Sequence, residues 1–231
     1  MWISEEYRIA HAGYNWRDGV KALVLYVILL AALVVQGRLY LSSLHAAVLE
    51  SLNIIGPLLG LVVTLVAVWV ARERVASIGV TTRRLGKSLT MGLGLGVLLA
   101  LALAAGEIVL GGRTFAGFAE PQAFSLLVCF VGALSEEFSY RGYIGTRLTG
   151  LCHQPVVASL LTGGLFLLSH YAVFWGVNGF LSFDGISATR IVFILLLHVV
   201  CDATYQRTNC IWGAVGLHVV YNVFSGAMQF V

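Results

Sequence analysis

Long apolar stretches, separated by short polar segments, recur along almost the whole of this chain. A helix needs roughly 20 mostly apolar residues to cross a bilayer. Seven stretches approach or exceed this length, namely 20–36, 52–71, 88–110, 122–148, 155–175, 189–205 and 210–231. Only 11% of the residues are charged, whereas soluble proteins carry about 25%, and the mean hydropathy is +0.90. The sequence therefore predicts an all-α, polytopic membrane helix bundle with about seven transmembrane helices, six to eight being compatible with the pattern.

The basic residues predict the orientation of this bundle, because cytoplasmic loops carry an excess of Lys and Arg. With the N-terminus in the cytoplasm, eleven of the 14 basic residues lie on or near the cytoplasmic side, and only Arg38, Arg113 and Arg190 lie outside. The net charge of +3 is therefore a topology signal, and no nucleic-acid partner is expected. We expect a single membrane domain over residues 1–231, placed in a cytoplasmic (inner) membrane, and the compact chain favours a prokaryotic source.

A few polar residues interrupt the apolar stretches. Glu136 and Glu137 are adjacent within 122–148, His170 lies within 155–175, and His218 and Asn222 lie within 210–231. Ionisable side chains at membrane depth are costly and are candidates for function. On a regular α-helix the two glutamates point about 100° apart, so they cannot do the same job.

Spacing suggests how these residues are arranged. Glu137 and Arg141 are four residues apart and can form an ion pair, which leaves Glu136 on another face, free to hold a water molecule. His218 and Asn222 share one face of the last helix by the same spacing. At 1.5 Å per residue, Glu136, His170 and His218 lie about 18, 22 and 12 Å from the cytoplasmic ends of their helices. The three can therefore share one layer near the middle of the bilayer.

Three motifs resemble a known family. Glu136-Glu137-Phe-Ser-Tyr-Arg141-Gly142 resembles the E-E-x-x-x-R-G motif of the CAAX prenyl protease and bacteriocin-processing (CPBP, or ABI) membrane family. Phe166-Leu-Leu-Ser-His170 resembles its F-x-x-x-H motif, and His218-Val-Val-Tyr-Asn222 its H-x-x-x-N motif. The resemblance covers about 122–222, and the order and spacing of the motifs make it specific. His198 and Asp202 stand where the family usually has small or apolar residues.

The resemblance implies an intramembrane endopeptidase of the glutamic type, acting on a membrane-associated protein or peptide without a cofactor. By position, Glu136 and His170 would activate the hydrolytic water, Glu137 and Arg141 would support the site, and His218 and Asn222 would stabilise the oxyanion. This agrees with the chemistry, because peptide hydrolysis needs a base beside a water molecule and donors aimed at the developing negative charge. We expect a water-filled cavity that opens to the cytoplasm and sideways to lipid.

Other interpretations stay open from the sequence. Glu, His and Asn side chains could ligate zinc in a metal-dependent membrane peptidase, although no H-E-x-x-H motif is present. The polar core could instead serve a transporter, immunity or scaffold protein. A sorting or transpeptidase role would call for cysteine chemistry, and Cys129 and Cys201 lack an obvious histidine partner.

Two further patterns predict packing contacts. His198 and Asp202 are four residues apart and could contact each other on one helix face, as a buried pair that stabilises helix packing. Gly92 and Gly96 form a small-xxx-small pattern that is typical of a close helix–helix contact in membranes.

Overall fold

The computed structural model describes residues 2–120 and 122–231, and these form an all-α bundle with one small β-ribbon. The long helices are α2 (Trp16–Tyr40), α3 (Ala46–Val70), α4 (Leu85–Val109), α7 (Pro155–Asn178) and α8 (Ala188–Thr208). A further long element consists of α5 (Ala123–Glu136), a π-helical segment (Glu137–Gly145) and α6 (Thr146–Cys152). The shorter elements are α1 (Glu5–His11), a 3₁₀ turn (Val75–Ile78), α9 (Trp212–Ala227), β1 (Phe115–Phe118) and β2 (Met228–Phe230).

Six of these elements are long and apolar enough to cross a membrane, so the prediction of a polytopic membrane bundle is confirmed. The seventh predicted stretch, 210–231, is corrected in its extent. Its helix, α9, covers only Trp212–Ala227, about 24 Å at 1.5 Å per residue, and the chain then enters β2. Because α9 packs against α4, α5 and α8, it presents its polar side chains to neighbouring helices.

The contact between α4 and α9 depends on glycine. A Cβ atom on Gly92 would lie 1.9 Å from the carbonyl oxygen of Gly213, and one on Gly96 would lie 2.8 Å from that of Leu217. Real Cβ contacts are not that short, so the two backbones can approach only where the side chains are absent. The predicted small-residue packing face is confirmed, and it holds α9, the helix that carries His218.

The two ends of the bundle differ in their contacts. At the end that we call the α1 end, the Ser4 amide donates to the Gln206 carbonyl at 3.0 Å and the Ile211 amide to the Gly79 carbonyl at 2.9 Å. Arg147 and Glu73 form an ion pair there. At the opposite end, which we call the ribbon end, β1 and β2 pair antiparallel with Phe115 opposite Phe230. The predictions did not include this ribbon.

Candidate active site

Glu137, Arg141 and His218 form a buried charged cluster. The Glu137 and Arg141 side chains are fully buried, and Glu137 Oε1 lies 3.0 Å from Arg141 Nη1. The same oxygen lies 2.7 Å from His218 Nδ1, while the Arg141 guanidinium carbon lies 4.2 Å above the Phe166 ring. A carboxylate can only accept a hydrogen bond, so the Nδ1–H of His218 donates to Glu137. The Nε2 atom of a neutral His218 therefore carries a lone pair.

A π-helical segment carries most of the first motif. Glu136 is the last residue of α5, and Glu137 begins the segment that runs to Gly145. The prediction that 122–148 is one regular helix is therefore corrected. Hydrogen bonds from i to i+5 are rare and frequently occur at functional sites. Here they change the direction in which the side chains following Glu136 leave the helix.

Two contacts fix this segment against its neighbours. Ser139 Oγ and Thr64 Oγ1 share a hydrogen bond of 2.7 Å, which joins the segment to α3. A Cβ on Gly142 would lie 2.9 Å from both the Cβ and the carbonyl oxygen of Ile78. The glycine of the motif thus lets the 3₁₀ turn (Val75–Ile78) pack directly on the segment. Both contacts hold the backbone that carries Glu137 and Arg141.

Glu136 and His170 lie in the wall of a cavity of about 520 Å³ between α2, α3, α5 and α7. The Glu136 side chain is 37% exposed, and its Oε2 atom has no hydrogen-bond partner among the described residues. That oxygen lies 3.7 Å from His218 Nε2. His170 Nδ1 lies 2.8 Å from the Phe166 carbonyl; since a carbonyl only accepts, Nδ1 is the protonated nitrogen. In the neutral ring, Nε2 is then the proton acceptor.

The cavity extends from Glu136 towards the ribbon end. Its lining includes Gln36 and Leu39 near the end of α2 and Leu52 and Asn53 near the start of α3. In the predicted orientation, which stays a prediction, this is the side away from the cytoplasm, whereas an opening to the cytoplasm was expected. Val35, Ile55 and Leu59 line the cavity and are also exposed on the outer surface, in agreement with the expected sideways opening to lipid.

Asn222 lies one turn beyond His218 on α9 and is partly buried. Within residues 2–120 and 122–231 its carboxamide makes no hydrogen bond, and it is not part of the cavity lining. The structure therefore joins Glu137, Arg141 and His218 by direct contacts and places Glu136 beside them, with His170 in the wall of the same cavity. Among the described residues, no hydrogen bond joins the Asn222 side chain to this group.

The predicted contact between His198 and Asp202 does not form. His198 Nε2 donates to the Ser159 carbonyl at 3.0 Å, and the Asp202 carboxylate accepts from Gln206 Nε2 at 2.8 Å. His198 thus contributes to the contact between α8 and α7, while Asp202 is bound by the residue one turn further along α8. Phe166 belongs to the F-x-x-x-H motif, but its position in the motif does not predict its contacts. Its ring packs on Arg141, His170 and His198.

Cys201 is the other site residue that sequence reasoning missed, because a buried cysteine in an apolar helix has no distinguishing pattern. It lies with Glu137 and His218, and one ligand atom of each residue falls within 4.8 Å of the others. The three fit a metal poorly. Glu137 Oε1 is already bound by the Arg141 cation and by the Nδ1–H of His218, and a metal ion would have to displace the proton and lie beside the guanidinium.

The fold defines an integral membrane protein with a largely apolar cavity inside its helix bundle, into whose wall Glu136 and His170 are set. Residues 118–224 match the family model described as Type II CAAX prenyl endopeptidase Rce1-like, in agreement with the family resemblance that the motifs indicated. All three motifs lie within the matched residues. No curated protein and no solved structure matches the chain. The family supports a membrane endopeptidase as the general class of activity.

Proposed function

We propose that the protein is an intramembrane endopeptidase of the glutamic type that hydrolyses a peptide bond of a membrane-associated protein or peptide. The observation that carries the proposal is the position of Glu136. It is an acid with an unpartnered oxygen beside a cavity inside the bundle, in a segment that matches a peptidase family. The neighbouring acid, Glu137, already binds Arg141 and His218 and is not available for the same task.

In the proposed reaction, Glu136 accepts a proton from a water molecule in the cavity while the water oxygen bonds to the carbonyl carbon of the substrate. His170 orients that water through the lone pair of Nε2. The tetrahedral intermediate then collapses, the carbon–nitrogen bond breaks, and the proton held by Glu136 passes to the leaving nitrogen. Such a proton transfer contributes typically 10²- to 10⁴-fold to the rate.

His218 stabilises the oxyanion only in its cationic form, because Nδ1–H is committed to Glu137 and a neutral ring has no proton on Nε2. Glu137 and Glu136 lie on either side of this ring. Asn222 supplies a second donor after a rotation of its side chain towards the substrate. Loss of one such donor costs about 10²- to 10³-fold in kcat.

The test compares cells that carry the wild-type protein, Glu136→Ala or Glu136→Gln, by proteomics of membrane-protein termini. We expect a membrane substrate whose new terminus appears only with the wild type. Glu120→Gln, an exposed acid before α5, is the matched control and should cleave normally. Cleavage that persists in both Glu136 variants would contradict the proposal, and a phenotype that survives without cleavage would favour a binding or scaffold role.

A zinc peptidase is the second candidate, on the single observation that Glu137, Cys201 and His218 converge. Metal analysis of the purified protein, together with Cys201→Ala, distinguishes the two mechanisms. The glutamic mechanism predicts that chelator-treated protein and the Cys201→Ala variant both cleave the substrate. If the wild type contains stoichiometric zinc and Cys201→Ala loses both the zinc and the activity, the zinc peptidase is established instead.

A further inference from the structure

A neutral polar cluster lies at the ribbon end of the cavity. Gln36 Nε2 donates to the Tyr40 hydroxyl at 2.9 Å and to the Leu52 carbonyl at 3.2 Å. The Tyr40 hydroxyl donates to Asn53 Oδ1 at 2.8 Å. Gln36, Tyr40 and Asn53 are called the amide cluster below. Gln36 and Asn53 line the cavity itself, in a region where polar groups are costly without partners.

The amide cluster keeps hydrogen-bonding capacity on both sides. The Gln36 carbonyl oxygen and the Asn53 amide nitrogen have no hydrogen bond within the described residues. In addition, Pro57 lies inside α3 and has no N–H to donate to the carbonyl four residues earlier, which is that of Asn53. The cluster is therefore uncharged. Asn53, which is exposed and lines the cavity, keeps its amide donor and its backbone carbonyl for a molecule there, while the Gln36 carbonyl oxygen lies against Gly56.

Helix geometry gives the distance between this cluster and Glu136. A Cβ on Gly60 would lie 2.8 Å from Ser135 Oγ and 3.7 Å from Leu29 Cδ2, so Gly60 and Leu29 mark the level of the glutamate. Asn53 is seven residues from Gly60 and Gln36 is seven residues from Leu29, about 10 Å along either helix. An extended peptide covers this distance in about three residues.

The charges of the lining restrict what can occupy the cavity. Among the described residues of its wall, Glu136 is the only acid, and no Lys or Arg is present. A ligand carboxylate would face no Lys or Arg there, and a ligand ammonium group would lie against apolar walls except beside Glu136; either placement away from a counter-ion has a large cost in free energy. A peptide group suits the place better, because it carries one donor and one acceptor and no charge.

We propose that the cavity binds an extended, uncharged apolar segment on one side of the bond to be cleaved, and that the amide cluster hydrogen-bonds a peptide group of this segment about three residues away. This inference rests on the proposed function for its meaning, since it names the substrate class of that same cavity. It assigns Gln36 and Asn53 as residues that determine specificity.

The probe is a fluorescent nine-residue leucine-rich peptide with blocked ends, together with a series in which aspartate replaces one residue at a time. Binding is measured on Glu136→Gln protein in detergent, and cleavage on the wild type. We expect aspartate to weaken binding more than about tenfold at up to three consecutive positions on one side of the bond to be cleaved, because a carboxylate at those positions lacks a counter-ion. Beyond those positions the effect should fall away.

Variants test the amide cluster itself. Asn53→Leu and Gln36→Leu, each added to Glu136→Gln, should weaken binding of the parent peptide about three- to tenfold, the effect of losing a neutral hydrogen bond. Replacing one peptide group of the probe with an ester should cost less in these variants than in the parent. Thr90→Val, an exposed position on α4 that bonds only the Gly86 carbonyl, is the control and should bind normally.

Aspartate tolerated at every position, or unchanged binding in both leucine variants, would overturn the inference. The aspartate series needs no variant of the amide cluster, so it decides the matter even where a leucine variant fails to fold. Peptide that binds with the expected pattern but is not cleaved by the wild type would refute the hydrolase assignment and leave the subsite intact.

Discussion

Replacing Gly92 with alanine tests whether the α4–α9 contact holds the site together. The added Cβ would lie 1.9 Å from the Gly213 carbonyl oxygen, and ordinary contacts begin at 3.4 Å. The obstacle is backbone and cannot rotate away, so α9 has to move by about 1.5 Å. Gly94 is two residues away on the same helix and has nothing within 4 Å of its Cβ position, which makes Gly94→Ala a matched control.

The expected magnitudes follow from this geometry. Alanine gains about 1 kcal/mol over glycine inside a helix, and overpacking costs typically 1–3 kcal/mol. Gly94→Ala should therefore be neutral or slightly stabilising. For Gly92→Ala, an overpacking cost of about 2–3 kcal/mol minus the helix gain of about 1 kcal/mol leaves a destabilisation of about 1–2 kcal/mol. His218 follows Gly213 by five residues, so a shift of this size breaks its 2.7 Å bond to Glu137.

The assay is thermal unfolding in detergent for both variants, followed by cleavage of the substrate found by proteomics. A misplacement of about 1 Å can cost about 10²-fold in rate, so Gly92→Ala should lose activity even at temperatures where it is folded. Equal melting temperatures and equal rates for the Gly92 and Gly94 variants would refute the argument that α9 is held by backbone contact.

Two further predictions concern buried charges. Glu137→Gln leaves the fully buried Arg141 without its counter-ion and should lower the unfolding free energy by about 3–5 kcal/mol; adding Arg141→Met should recover most of the loss, and a double variant no more stable than the single one would contradict this. Burial lowers the pKa of His11, which lies before α2, to about 4, from about 6.5 in an unfolded chain. The folded state favours neutral His11, and this preference contributes to the free energy of unfolding. The contribution is fully present above pH 6.5 and falls as the pH drops towards 4, by about 2 kcal/mol at pH 5. Hydrogen exchange of α1 at pH 7 and pH 5 should show the loss, and His11→Phe, which keeps the ring between Tyr7 and Tyr14, should remove it; an unchanged pH dependence in that variant would assign the loss to another group.

Local patterns predicted the features of this protein that depend on spacing along one helix. The apolar lengths gave the membrane-spanning elements, the four-residue spacing gave the pair of Glu137 and Arg141, and the two glycines gave the α4–α9 contact. Each of these follows from helix geometry, which the sequence states directly. The same reasoning failed for His198 and Asp202, because partners from α7 and from the next turn of α8 satisfy these side chains.

Features that depend on contacts between helices could not be predicted in this way. The π-helical segment has no sequence signature of its own, since it forms where Ser139 and Gly142 meet α3 and the 3₁₀ turn. The direction of the cavity depends on how α2 and α3 pack against each other near Gln36 and Asn53, where hydrogen bonds join the two helices. The β-ribbon joins β1 to a segment that was expected to be the end of a membrane helix.

The histidine between the two glutamates shows why adjacent, chemically identical residues can take different roles. Nδ1 of His218 contacts Glu137, and Nε2 lies near Glu136, so the ring connects the buried acid to the one beside the cavity. Arg141 compensates the charge of Glu137, while no Lys or Arg pairs with Glu136 in the described part of the chain. In the proposed reaction, protonation of Glu136 removes the negative charge that faces Nε2 just as the oxyanion of the intermediate forms. The Nε2–H of the cationic His218 can then donate to the oxyanion instead of facing Glu136, while Nδ1–H stays bound to Glu137. This requires the 2.7 Å bond between Nδ1 and Glu137 to persist throughout the cycle.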